Sequence, residues 1–200
     1  MGALLGFIAI YTIGLFAYGQ AVGSPLTNLY TIINVVLFGV FWLLHRSVRF
    51  PLPVLWGLAL VGLGNMLGGV LLVDGNPLYL TPVLGSMRYD KIFHAAASAI
   101  GVWACWVALR SWAGSEPNRS GLMIASLLMV MGAGAFVELA EFAGTAVNPD
   151  VNVGDYGNNM LDIVANLVGG LVGLTVIAFW SSAAAATISP GADSTAPEVP

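Results

Sequence analysis

A chain of 200 residues that is 58% hydrophobic and only 8% charged, with a mean hydropathy of +0.88, is too apolar for a soluble domain. A net charge of −4 with six Lys and Arg leaves no basic face for phosphates, which argues against nucleic acid as a partner. The single cysteine, Cys105, excludes an intrachain disulfide and reads as packing within an apolar segment.

Apolar stretches of about 20 residues, enough to cross a bilayer, recur along the chain. The first, Gly2–Val22, lacks the positive n-region of a signal peptide, is read as an uncleaved span, and ends at Gly23-Ser24-Pro25. A second covers about Leu26–Leu44 and stops at His45-Arg46-Ser47-Val48-Arg49. Pro51 and Pro53 precede a third, near Val54–Val73, and Asp74-Gly75-Asn76-Pro77 is a strong turn signal opening a loop to Met87. The fourth span is expected over Tyr89–Leu109, the fifth over Gly121–Gly144 and the sixth over Asn158–Trp180. The expected fold class is therefore all-α, a polytopic membrane helical bundle of about six transmembrane helices. It should form one domain over 1–180, followed by a disordered Ala/Ser/Pro-rich tail over 181–200.

Basic residues suggest an orientation. With both termini cytoplasmic, the inner loops hold Arg46, Arg49, Arg110 and Arg119, and the outer side holds only Arg88 and Lys91. That bias orients a multi-pass membrane protein with both termini inside. Asp90 and His94 open one helix, Glu138 and Glu141 close the next, and Asp155 and Asp162 open the last. These residues then share one depth, on the outward face.

An ionised Asp at the centre of a membrane helix costs about 2.5–3.5 kcal/mol on insertion scales, so such groups usually face a protein interior or a wet cavity. Helical spacing puts Asp90, His94 and Ser98 on one face and Glu138 near Glu141. Asn159, Asp162 and Asn166 form a polar stripe, with Gly169-Gly170 and Gly173 on nearly the same side to admit a neighbouring backbone. Five carboxylates at one site cannot all stay ionised uncompensated, so either a cation binds or protons are held. Oxygen ligands with one imidazole suit Mg²⁺, Mn²⁺ or Ca²⁺, or a catalytic Zn²⁺ on His94 and two carboxylates. The candidate metal ligands are Asp90, His94, Glu138, Glu141, Asp155 and Asp162. Blander roles compete: Asp90 as a helix cap, Lys91 snorkelling to the interface, Asn166 and Asn65 as interhelical hydrogen bonds.

Tyr89-Asp90-Lys91-Ile92-Phe93-His94, Glu138-Leu139-Ala140-Glu141 and Asp162-Ile163-Val164-Ala165-Asn166 with Gly169-Gly170 resemble the VanZ-like superfamily, and more closely its YjdF-type branch of small inner-membrane proteins of unknown function. The resemblance covers roughly Gly64 to Gly173. It departs at Glu141, where VanZ-like members often carry Gln, and at Asn158, where the branch often carries an acid. It implies envelope lipid or cell-wall-precursor chemistry at family level and no catalytic assignment. The expected function is binding of a divalent cation and a lipid or cell-wall-precursor headgroup, with Arg88, Lys91 and Asn166 as substrate-binding residues and membrane lipids as partners. The alternative is a metal-dependent hydrolase or transferase acting on a phospholipid or polyprenyl-phosphate, with His94, Glu141 and Asp162 as its catalytic groups. A proton- or cation-coupled carrier is a further alternative, weakened by the apolar inner halves of these spans.

Overall fold

Without water to bond, a backbone in hydrocarbon must satisfy its own amides, and apolar segments of this length do so as helices. A computed structural model describes residues 1–114, 118–147 and 156–187 of the chain. It contains α1 (Gly2–Val22), α2 (Thr27–Val48), α3 (Leu52–Val70), α4 (Tyr89–Trp112), α5 (Arg119–Val147) and α6 (Tyr156–Thr187). All six are long and apolar enough to cross a membrane. The all-α fold class is as expected, and α1 carries the predicted limits.

Two boundaries differ most from those expected. The basic run after Leu44 stays helical to Val48, and Arg49 ends the helix with a left-handed φ of 55°. At the other end α6 continues to Thr187, whereas the sequence reading began an unstructured tail at Ser181. The added turns are largely alanine, the best helix former, and simply propagate the helix already begun. Residues 188–200 of that expected tail lie outside the described residues.

The loop between α3 and α4 is more ordered than its polar composition suggests. Two small antiparallel hairpins, β1 (Leu72–Val73) with β2 (Asn76–Pro77) and β3 (Pro82–Leu84) with β4 (Met87–Arg88), flank one turn of 3₁₀ helix. Asp74 and Gly75 both take positive φ, 50° and 79°, as a two-residue type I′ connection requires. The 3₁₀ turn sends Tyr79 down between α2, α3 and α4. There its ring packs on Tyr30, Tyr89 and Phe93, and its hydroxyl donates to Asn65 Oδ1 at 2.9 Å. Gly68 makes this possible, since a Cβ there would lie 2.5 Å from the Tyr79 ring.

The helix on which the fold turns is α4. It packs on α3, α5 and, most extensively, α6. The α4–α6 approach depends on the glycines that the sequence singled out. A Cβ on Gly169 would run into the Ala95 carbonyl, and one on Gly173 would sit 2.6 Å from the Ala99 oxygen. Backbone therefore lies against backbone, and the first turns of α4 and α6 come within side-chain reach.

Candidate functional site

At the end of the bundle where α4 and α6 begin and α5 ends, charged groups meet in the interior. Lys91 Nζ reaches across from α4, 2.6 Å from Asp162 Oδ1 and 2.8 Å from Asp90 Oδ2. It also donates to the Asn158 carbonyl oxygen and side-chain Oδ1 at 3.1 and 2.9 Å. Asn158 Nδ2 donates to the other oxygen of Asp162 at 2.9 Å. The Asp162 side chain is only 2% exposed, so this carboxylate is wholly held by protein. Lys91 is thus not a lip residue stretching toward water. Its ammonium is turned inward, and the close α4–α6 packing brings its partners within reach.

His94, one helical turn below Asp90, faces three carboxylates with one nitrogen. Nε2 lies 3.3 Å from Asp90 Oδ1, 3.6 Å from Glu138 Oε1 and 3.7 Å from Asp162 Oδ1. Its Nδ1 is 3.2 Å from Asn166 Oδ1, an oxygen that also accepts from Ser98 Oγ at 2.8 Å. An oxygen that already accepts can only accept again, so Nδ1 carries the hydrogen. Nε2 then holds either a second proton or a bare lone pair aimed at three oxygens. A bare lone pair there is repelled unless a cation stands between.

Glu138 sharpens the point. Its side chain is 9% exposed, and neither of its buried oxygens has a hydrogen-bond partner among the described residues. A buried carboxylate with no hydrogen bond, facing only a histidine ring at 3.6 Å, is among the costliest groups a fold can carry. Four carboxylates (Asp90, Glu138, Glu141 and Asp162) face one ammonium and one imidazole that adds at most one positive charge. At least two negative charges await a proton or a metal. Asp90, His94 and Asp162 each offer a ligand atom, and these atoms lie within 4.8 Å of one another.

The two glutamates have different surroundings. Glu141, three residues on from Glu138, accepts from Tyr30 on α2 at 3.4 Å. With Asp90, Tyr30 and Tyr79 it borders a small cavity of about 20 Å³, room for one water or one ion. Burial holds the Tyr79 phenol well above its ordinary pKa, so it stays neutral and keeps its one hydrogen on Asn65. Arg88, at the exposed rim, donates to Asn158 Oδ1 at 3.4 Å.

The sequence-derived set thus gathers in part. Asp90, Lys91, His94, Glu138, Asp162 and Asn166 come together, with Glu141 beside them and Arg88 above. Asp155 lies outside the described residues. The polar stripe of α6 runs through Asn158, Asp162 and Asn166, spaced by four. Asn159, which the sequence reading put on that stripe, has no hydrogen-bond partner for its buried Oδ1 among the described residues. Tyr30 and Tyr79 were missed, because an aromatic in an apolar stretch carries no mark of where its hydroxyl points. Asn65, expected to bond between helices, instead accepts from Tyr79 of the α3–α4 loop at 2.9 Å.

The family described as Predicted membrane protein (DUF2238) matches residues 3–183. The chain belongs to that family. No curated protein and no solved structure matches it. The family description establishes a membrane protein and names no chemistry, so the chemistry rests on the geometry of this cluster.

Proposed function

We propose that this multi-pass membrane protein binds a divalent cation at the His94 cluster and presents it to a lipid or cell-wall-precursor headgroup. One observation carries the reading: His94 Nε2 faces oxygens of Asp90, Glu138 and Asp162 at 3.3–3.7 Å while neither oxygen of Glu138 has a hydrogen-bond partner among the described residues. Four ligand atoms bonded at 2.0–2.1 Å in a tetrahedron stand about 3.4 Å apart. Asp90, His94 and Asp162 offer ligand atoms within 4.8 Å of one another, and Glu138 Oε1 stands 3.6 Å from the same nitrogen, near enough to be drawn in as a fourth. Nδ1 held by Asn166 is the outer hydrogen bond that a metal-bound imidazole needs, and Lys91 and Asn158 hold Asp162 in the same way. One nitrogen and three carboxylate oxygens suit Mn²⁺ or Zn²⁺ better than an all-oxygen ion such as Ca²⁺.

Lys91 is committed to the carboxylates, which leaves Arg88 at the rim to attract an anionic headgroup. On this reading the chain stands with the YjdF-type branch, whose Asp-Lys-x-x-His and Asp-x-x-x-Asn motifs supply the cluster. With the orientation expected from the basic loops, the cluster faces the outer side of the inner membrane.

Elemental analysis of detergent-purified protein tests the cation. About one divalent ion per chain is expected in the parent and none in Glu138→Gln or Asp162→Asn, with all three eluting as folded protein. A folded parent without metal would leave protons on the carboxylates as the better account.

A further inference from the structure

A second cavity lies on the lipid-facing side of the same helix turn. Between α3 and α4 runs an open apolar groove of about 270 Å³. Gly57 and Gly64 on one wall and Ala96 and Ala97 on the other keep its floor low, and the rings of Tyr89 and Phe93 flank its upper end. Those two rings stack with centroids 6.3 Å apart, and Phe93 stands edge-on to the His94 imidazole at 6.1 Å. The groove therefore opens at the depth of the charged cluster, separated from it by one aromatic ring. Tyr89, whose hydroxyl donates to the Gly64 carbonyl at 2.9 Å, ties the two walls together at that mouth.

We infer that this groove holds one acyl chain of a phospholipid from the leaflet on the cluster's side, placing its headgroup beside the cluster and Arg88. The length decides the occupant. From Tyr89 to Ile100 the groove follows α4 for eleven residue steps, roughly 16 Å at 1.5 Å per residue. That is about half of a hydrocarbon core of roughly 30 Å. An acyl chain ends near the midplane, as the groove does. A helix of a second copy, about 10 Å across with its side chains, needs a wider and longer seat, and a long polyprenyl chain runs on past the midplane. The walls belong to membrane-spanning segments, so lipid chains are what surround the groove. This assignment deepens the proposed headgroup reading and rests on it for what the lipid is doing there.

Native mass spectrometry after a delipidating detergent wash tests it. The parent should retain one phospholipid per chain. Ala96→Phe, which fills the groove from an exposed position, should retain at least tenfold less, and Leu128→Phe on the outer face of α5 should match the parent. Should Ala96→Phe fold poorly, Ala97→Leu gives the same reading with a smaller side chain. A parent that retains no phospholipid overturns the inference. So does retention of a polyprenyl lipid instead, undiminished lipid in the filled variants, or a change in oligomeric mass in place of lipid loss. Metal content measured on the same samples separates the two proposals. Lipid lost with metal intact is the expected pattern, and lipid held by a parent without metal would sink the cation site alone.

Discussion

Two buried polar clusters stand in this bundle, and they are built on opposite terms. Between α1 and α2, Tyr11 donates to Asn34 Oδ1 at 3.2 Å and Asn34 Nδ2 donates to Thr12 Oγ1 at 3.0 Å, a neutral trio in which donors meet acceptors. Between α4, α5 and α6, four carboxylates crowd one lysine and one histidine, and Glu138 has no hydrogen-bond partner among the described residues, only the His94 ring at 3.6 Å. The first cluster is complete in itself and needs no ligand to explain it. On the proposed reading, the second is complete only with a cation added. Saturation, rather than polarity, separates interhelical glue from a binding site in a membrane.

The largest effect should come from Lys91→Met. It strips Asp90 and Asp162 of their shared cation, and breaking a buried pair costs about 3–5 kcal/mol. The variant should unfold well below the parent in a detergent thermal melt. Lys91→Met combined with Asp162→Asn should recover much of the loss, because one buried charge goes with its partner. If the single variant melts like the parent, the cluster is wet enough to screen itself and the charge argument fails.

Next in size is the gain on loading. A ligand at a hundred times its Kd stabilises the folded state by about 2.7 kcal/mol. After chelation, Mn²⁺ or Zn²⁺ should raise the melting temperature of the parent and leave Glu138→Gln unmoved. The glutamine keeps the shape and removes the charge, so the chelated variant should be at least as stable as the chelated parent. An equal rise in both would put the ion somewhere else.

Gly169→Ala tests the scaffold instead of the charges. Its new methyl would meet the Ala95 backbone, which cannot step aside as a side-chain tip would. Overpacking of this kind costs about 1–3 kcal/mol, and backbone as the obstacle favours the upper end. Because α4 and α6 must part, metal binding should weaken as well. Gly14→Ala on α1, where a Cβ meets nothing within 4 Å, should change neither.

How far the sequence could foresee this contrast depended on the kind of residue. Asp90, His94 and Ser98 repeat every four residues, so their shared face was legible, as was the glycine run that draws α6 against them. Glu138 and Glu141 looked equivalent because i,i+3 residues lie close on a helix. Yet three residues turn by 300°, and the remaining 60° is enough to send one toward His94 and the other toward Tyr30. Lys91 read as a snorkelling lip residue because its destination lies on another helix, at a distance that only packing sets. Asn34 sat unremarked in an apolar span, since nothing in its own segment names a partner on α1.

That asparagine gives the smallest and most discriminating prediction. Hydrogen bonds between membrane helices average about 0.6 kcal/mol, because the separated helices find other partners. Asn34→Leu should therefore lower stability by about that much, and Tyr11→Phe by no more, with metal content unchanged in both. The trio lies in the other half of the bundle, so the effect of Asn34→Leu should simply add to that of Lys91→Met. A loss as large as that of Lys91→Met would mean that saturated neutral glue carries as much of this fold as the charges do. The unsaturated cluster would then lose its claim to be different in kind.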